Sequence, residues 1–230
     1  MKNVKCKIII RYFFVSYCCD IDIDYLKRMH TREDILIGVD SGVDVLVRNG
    51  LKPDIVVGDF DSMKTDIATL GEGCEIVALN TEKDKSDLEY AVDYIVERMG
   101  DKQDFEMVIV NNLQGRIDHI MSTVYLLGKY PKAKIVSAEQ ELFLVNDRFT
   151  MELPLNSCVS LLPVSEAVSG VTTSGFYYNL DNETLYRENS RGVSNRSVEN
   201  VVGVSFEEGL MLCVARYNEC PPLHPSLEGN

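Results

Sequence analysis

The chain has 230 residues, enough for one large domain or two modest ones. Its 45% apolar and 26% charged residues are ordinary for a globular protein, and a formal net charge of −13 argues against nucleic acid or an anionic membrane surface as the main partner. A polyanion such as ATP remains compatible, provided metal ions and a few local cations mask the charge. The cysteines (Cys6, Cys18, Cys19, Cys74, Cys158, Cys213, Cys220) form no CxxC pair, which predicts reduced thiols in a cytoplasmic protein. His30, His119 and His224 are far apart and unpaired with cysteine, so zinc is not expected.

In chain order, Lys2, Lys5 and Lys7 ahead of Ile8-Ile9-Ile10 faintly resemble a secretory leader, but Arg11 interrupts the apolar run and no small-x-small site follows. A first buried strand over Lys7–Val15 fits better, and no apolar stretch approaches the ~18 residues of a membrane span. Further β-branched runs follow at Ile35–Val39, Asp54–Val57, Glu75–Leu79, Met107–Val110 and Lys134–Val136. Between them lie helical patterns. Asp40-Ser41-Gly42 leads into a helix at Val43–Asn49, with Asp40 either its cap or part of a nucleotide site. Ser86-Asp87-Leu88-Glu89 is a capping box, so a helix starts at Asp87 and buries Leu88, Ala91, Val92, Ile95, Val96 and Met99. Another helix, Arg116–Leu127, is expected to bury Ile117, Ile120, Met121, Val124 and Leu127. Strands alternating with helices imply a parallel sheet covered on its faces. From Phe149 onward the pattern changes to short β-rich runs separated by Gly, Asn and Ser turns, at Cys158–Leu162, Ala167–Thr172, Thr184–Tyr186, Val198–Ser205 and Leu210–Ala215. That spacing suggests an antiparallel sandwich or barrel. The expected division is therefore an α/β catalytic domain over 1–146, an antiparallel β-sandwich over 147–219 and a flexible tail over 220–230.

In such a sheet, ligands bind beyond the carboxyl ends of the strands. Each of those ends carries an aspartate. Asp40-Ser41-Gly42 follows one strand, Gly58-Asp59-Phe60-Asp61-Ser62 the next, then Thr81-Glu82-Lys83-Asp84-Lys85-Ser86-Asp87, then Gln114-Gly115-Arg116-Ile117-Asp118-His119. Two carboxylates at ~4 Å repel by about 4 kcal/mol at an effective dielectric near 20, and a hard cation such as Mg²⁺ is the usual relief. Each piece alone has a plainer explanation: a turn, a helix cap, a solvated lysine, or an Arg116–Asp118 pair at a helix start. Their convergence on one edge favours a metal–phosphate site and phosphoryl-type transfer. No GxxxxGK[ST] loop, GxSxG elbow or Cys/His nucleophile pair is present. His119, near the expected site, reads as structural.

These motifs, in this order and spacing, resemble the thiamine pyrophosphokinase family. Gly170-Val171-Thr172-Thr173-Ser174-Gly175 and Ser190-Arg191-Gly192-Val193-Ser194-Asn195 resemble that family's thiamine-binding domain. The resemblance implies a homodimer with active sites shared across the interface, ATP as co-substrate, Mg²⁺ as cofactor and thiamine as acceptor. It implies Asp59, Asp61 and Asp87 as metal ligands, and Asp84, Arg116 and Asp118 as further catalytic residues. Asp40, Ser41, Gly42, Asp59, Lys85, Gly115 and Arg116 would hold the nucleotide; Asp61, Lys83, Asp87, Ser194 and Asn195 would meet thiamine. Ser41 and Gln114 stand where the family usually has glycine, and Ile10–Phe14 lacks the glycine turn common after its first strand. Competing readings are a diphosphokinase acting on a pterin-like hydroxymethyl heterocycle and a non-catalytic thiamine or nucleotide sensor.

Overall fold

Six short β-branched runs pair side by side, all parallel: β1 (Ile10–Val15), β2 (Ile35–Val39), β3 (Ile55–Gly58), β4 (Glu75–Ala78), β5 (Phe105–Val110) and β6 (Ala133–Val136). Their spatial order is β6-β5-β1-β2-β3-β4. The computed structural model describes residues 10–16, 20–100, 105–111 and 113–219. The Lys7–Ile9 start of the first expected strand, Cys6, Cys18, Cys19 and the expected tail from Cys220 lie outside them. Chain contacts divide the protein between Ala138 and Glu139, ahead of the Asn146 boundary expected from sequence.

In the first unit the strands alternate with α1 (Asp20–Met29), α2 (Gly42–Arg48), α3 (Asp87–Met99) and α4 (Ile117–Lys129). Phe13 and Val15 of β1, Leu36 of β2, and Val108 and Val110 of β5 point one way and pack on Ile23 and Leu26 of α1 and Leu46 of α2. Helix α3 lies against β1, β2 and β3, burying Leu88, Ala91, Val92 and Ile95. As the capping box predicts, the Ser86 hydroxyl accepts the Glu89 amide. Arg11, the charge inside the first apolar run, donates from Nε and Nη2 to the buried Asp34 carboxylate at 3.0 and 2.7 Å and from Nη2 to the Met29 carbonyl.

Two expectations need correction. Helix α4 buries Thr123, Leu126 and Leu127, whereas Ile117 is 68% and Met121 39% exposed. The buried stripe runs through polar Thr123, whose hydroxyl donates to the His119 carbonyl, so an apolar count selects the wrong face. Helix α1 was not anticipated, because Asp20-Ile21-Asp22-Ile23-Asp24 alternates with the period of a strand.

The second unit consists of two antiparallel sheets. One has the order β12 (Asn195–Arg196), β9 (Ser157–Pro163), β14 (Met211–Glu219), β7 (Gln140–Val145); the other β11 (Glu183–Tyr186), β10 (Ala167–Ser174), β13 (Val201–Ser205), β8 (Arg148–Glu152). Alternate residues of both (Val159 and Leu161, Cys213 and Ala215 against Val168, Val171, Val202 and Val204) form a shared core, the sandwich expected from sequence.

Candidate active site at the carboxyl edge of the parallel sheet

The Gly58–Ser62 loop leaves β3 in a strained conformation. Phe60 has φ of +64°, left-handed and uncommon for a bulky side chain, and Asp40, after β2, has φ of +48°, in the left-handed region that aspartate enters more readily. Phe60 packs with the cluster of Val43, Val56 and Leu70, which fixes the turn. Asp59 Oδ1 accepts the Asp61 amide at 3.4 Å, Ser62 Oγ donates to Asp40 Oδ1 at 2.8 Å, and the Lys64 and Thr65 amides and the Thr65 hydroxyl all donate to Asp44 on α2. The result is that Asp40, Asp59 and Asp61 each bring a carboxylate oxygen within 4.8 Å of the others.

Lys83 Nζ lies 2.6 Å from Asp59 Oδ2 and 3.3 Å from Asp87 Oδ1. The hydrogen bond from Lys83 holds the Asp59 carboxyl below the ordinary carboxylate range, and the same bond raises Lys83. Asp87 behaves oppositely: burial pushes its carboxyl up despite Lys83, and Asp59 and Asp40 add to the rise. Its Oδ1 is buried, with the Lys83 ammonium as its charged neighbour at 3.3 Å.

Beside these residues is a cavity of about 540 Å³ lined by Ser16 after β1, Asp40 and Ser41 after β2, Asn111 after β5, and Asp87 and Asp118 at the starts of α3 and α4. Asn111 Nδ2 donates to the Ser16 carbonyl. Here the strand order reverses, with β2 and β5 on either side of β1, where open α/β sheets take their ligands. Gly42 allows the fit, since a Cβ there would come within 2.0 Å of the Val15 carbonyl oxygen. Gly115 has φ of +91° just before α4.

Not every expected residue joins the cluster. Lys85 reaches Asp93 on α3 at 2.8 Å, and Asp84 is exposed. Arg116 binds Asp118 through Nε and Nη2 at 3.1 and 2.5 Å, and that bond lowers the Asp118 carboxyl to about 2. Ser194 and Asn195 belong to the second unit, where they line a cavity of about 450 Å³ with Tyr177, Tyr178 and Arg191. Asn195 Oδ1 accepts the amides of Tyr178 and Arg196, and its Nδ2 donates to the Tyr178 carbonyl. Sequence reasoning missed Asn111, Asp44 and the tyrosine pair. Asn111 was legible as the polar residue ending an apolar strand; nothing marks Asp44 beyond its place on α2.

Residues 26–137 match the family model described as thiamin pyrophosphokinase, catalytic domain, and residues 148–211 the one described as thiamin pyrophosphokinase, vitamin B1 binding domain. The chain belongs to the thiamine pyrophosphokinase family. A thiamine pyrophosphokinase of Bacillus subtilis is 27% identical over 186 residues, 77% of this chain and 85% of that protein. Thiamine pyrophosphokinase 1 of rice (Oryza sativa subsp. japonica) is 25% identical over 183 residues, 75% and 69% of the two chains. The solved thiamin pyrophosphokinase of Geobacillus thermodenitrificans superposes with a TM-score of 0.75 at 26% identity, covering 94% of this chain and all (100%) of that one. The family's two domain models thus fall on the two units, the acidic edge in one and the tyrosine-lined cavity in the other.

Proposed function

We propose that this chain is a thiamine diphosphokinase, moving the diphosphoryl group of ATP to the hydroxyl of thiamine and releasing AMP. The observation that carries the reading is the convergence of the Asp40, Asp59 and Asp61 carboxylates with Lys83 and Asp87 at the carboxyl edge of the sheet, beside the cavity at the strand-order reversal. An all-oxygen donor set with excess negative charge and one inserted ammonium suits Mg²⁺. Asp40, Asp59 and Asp61 would hold that ion, which when bound neutralises the phosphates of ATP.

The cavity between β1, β2, β5 and the start of α4 takes the nucleotide, with Ser41, Gly42 and Gly115 lying close to its phosphates. Arg116 turns from Asp118 to the phosphates, a change that an exposed pair permits readily. In the transfer, the thiamine hydroxyl oxygen bonds to the β-phosphorus while the bond from that phosphorus to the α–β bridging oxygen breaks. AMP leaves with the electron pair, and the hydroxyl proton is lost. Asp87, expected among the metal ligands, has a buried Oδ1 met by the Lys83 ammonium at 3.3 Å, and that oxygen takes the hydroxyl proton. Thiamine, a cationic aromatic compound, suits the ring of Tyr178, which meets Tyr177 edge to face with centroids 4.8 Å apart, while the Arg196 guanidinium lies 4.9 Å over Tyr177. The working unit is a homodimer in which Ser194 and Asn195 of one copy serve the other's acceptor site. Exposed Ile117, Met121 and Tyr125 on one side of α4 give such an assembly apolar surface to bury.

The acceptor is tested by offering ATP, Mg²⁺ and equal thiamine and hydroxymethylpterin. Thiamine diphosphate alone is expected; a pterin diphosphate would reassign the acceptor.

A further inference from the structure

Lys83 occupies the position of a cation. Its ammonium contacts Asp59 Oδ2 and Asp87 Oδ1 at 2.6 and 3.3 Å, and the side chains of Lys83 and Asp59 are only 10% and 11% exposed. Among the described residues, the ion-paired Lys27, Lys85 and Lys129 are far more open, at 39%, 40% and 44% exposed. Asp59 is also one of the three carboxylates that converge for a metal ion. An ammonium bound to Asp59 raises the local potential and competes with any second cation for that carboxylate.

We infer that Lys83 is a resident counter-ion of the acidic cluster, released from Asp59 only when metal and nucleotide arrive together. The inference rests on the proposed reading of the site as one for Mg²⁺ and ATP. The lysine has a flexible four-carbon stem and three donors, and it immediately precedes the loop that starts α3. Once the metal takes Asp59, the released ammonium needs a new anion, and the phosphates of the incoming nucleotide are that anion. Binding of metal alone is thereby penalised, and binding of metal with nucleotide is favoured. The coupling is reciprocal by thermodynamic necessity. Lys83 becomes the element that keeps the carboxylates neutralised in the free protein and makes the two ligands bind as a pair.

The test measures Mn²⁺ binding by electron paramagnetic resonance, with and without a non-hydrolysable ATP analogue, in the full chain and in Lys83→Gln and Lys83→Arg. Lys83→Gln should bind Mn²⁺ alone at least about tenfold more tightly than the parent, and the analogue should tighten Mn²⁺ binding by a smaller factor than it does in the parent. Lys83→Arg keeps the charge and should bind Mn²⁺ alone as weakly as the parent, which guards against misreading a folding defect. Equal or weaker Mn²⁺ affinity in Lys83→Gln overturns the counter-ion role. If the parent makes thiamine diphosphate while Lys83→Gln binds Mn²⁺ unchanged, only this inference fails. A parent that makes none removes the functional reading, while the Mn²⁺ comparison still judges Lys83.

Discussion

At the scale of single residues, the site depends on two left-handed positions, Asp40 and Phe60, held by packing and by hydrogen bonds from neighbouring side chains and amides. Backbone conformations of this kind cost roughly 1–3 kcal/mol each and persist where the surroundings over-determine them. Asp59→Asn removes one negative charge from the converging trio with little change of shape, and turnover should fall by at least about a hundredfold. Near-normal activity would remove Asp59 from the metal site. Asn195→Ala should raise the thiamine KM about tenfold with kcat little changed. The structure gives that effect a route: the Asn195 amide holds both the N–H and the carbonyl of Tyr178. An unchanged KM would contradict it. The Asp59–Asp61 pair was legible in sequence because both aspartates immediately follow an apolar strand. Asp40 was expected on the same edge as a nucleotide residue; that its carboxylate comes within 4.8 Å of theirs was not legible, since only folding brings the end of β2 beside the end of β3.

At the scale of elements, local signals worked where one side chain answers one backbone group. The Ser86 cap is the case in point, and Ser86→Ala should cost about 1 kcal/mol, read as a lower thermal midpoint. A midpoint equal to the parent's would show that the cap contributes nothing. Periodicity failed where a polar residue shares the buried stripe, as Thr123 does in α4, and where a helix begins with alternating residues, as α1 does. Charged Arg11, which argued against a secretory leader and for a strand, sits within β1 and joins it to the start of β2 through Asp34. Burial alone would raise Asp34, but the hydrogen bonds from Arg11 and Thr31 outweigh it and hold the carboxyl below its ordinary range. The unfolded chain titrates near the ordinary value of about 3.9. The stabilisation is therefore complete above that pH and fades as pH falls through the lower folded value. Asp34→Asn should destabilise the protein by about 3 kcal/mol at pH 7, leaving Arg11 without its partner. The gap from the parent should narrow below about pH 4. A gap independent of pH would contradict the assignment.

At the scale of the molecule, the α/β-then-β order was readable because the apolar pattern changes character along the chain, from runs spaced by helices to runs spaced by turns. The boundary was not, because β7 and β8 follow β6 with short connections and no Gly- or Pro-rich linker. The proposed sharing of sites between copies has its own consequence. Mixing inactive Asp59→Asn protein with a variant impaired in the second unit, such as Asn195→Ala, should restore activity above the sum of the two after subunit exchange when thiamine is held well below the raised KM of Asn195→Ala. No gain on mixing would confine each site to a single chain.

The most direct measurement is the formation of AMP and thiamine diphosphate from ATP, Mg²⁺ and thiamine by the 230-residue chain, with Asp59→Asn as control. The predicted result is equal amounts of both products, lost in the control. Thiamine bound without product, or product undiminished in Asp59→Asn, would contradict the assignment of this acidic edge to diphosphoryl transfer.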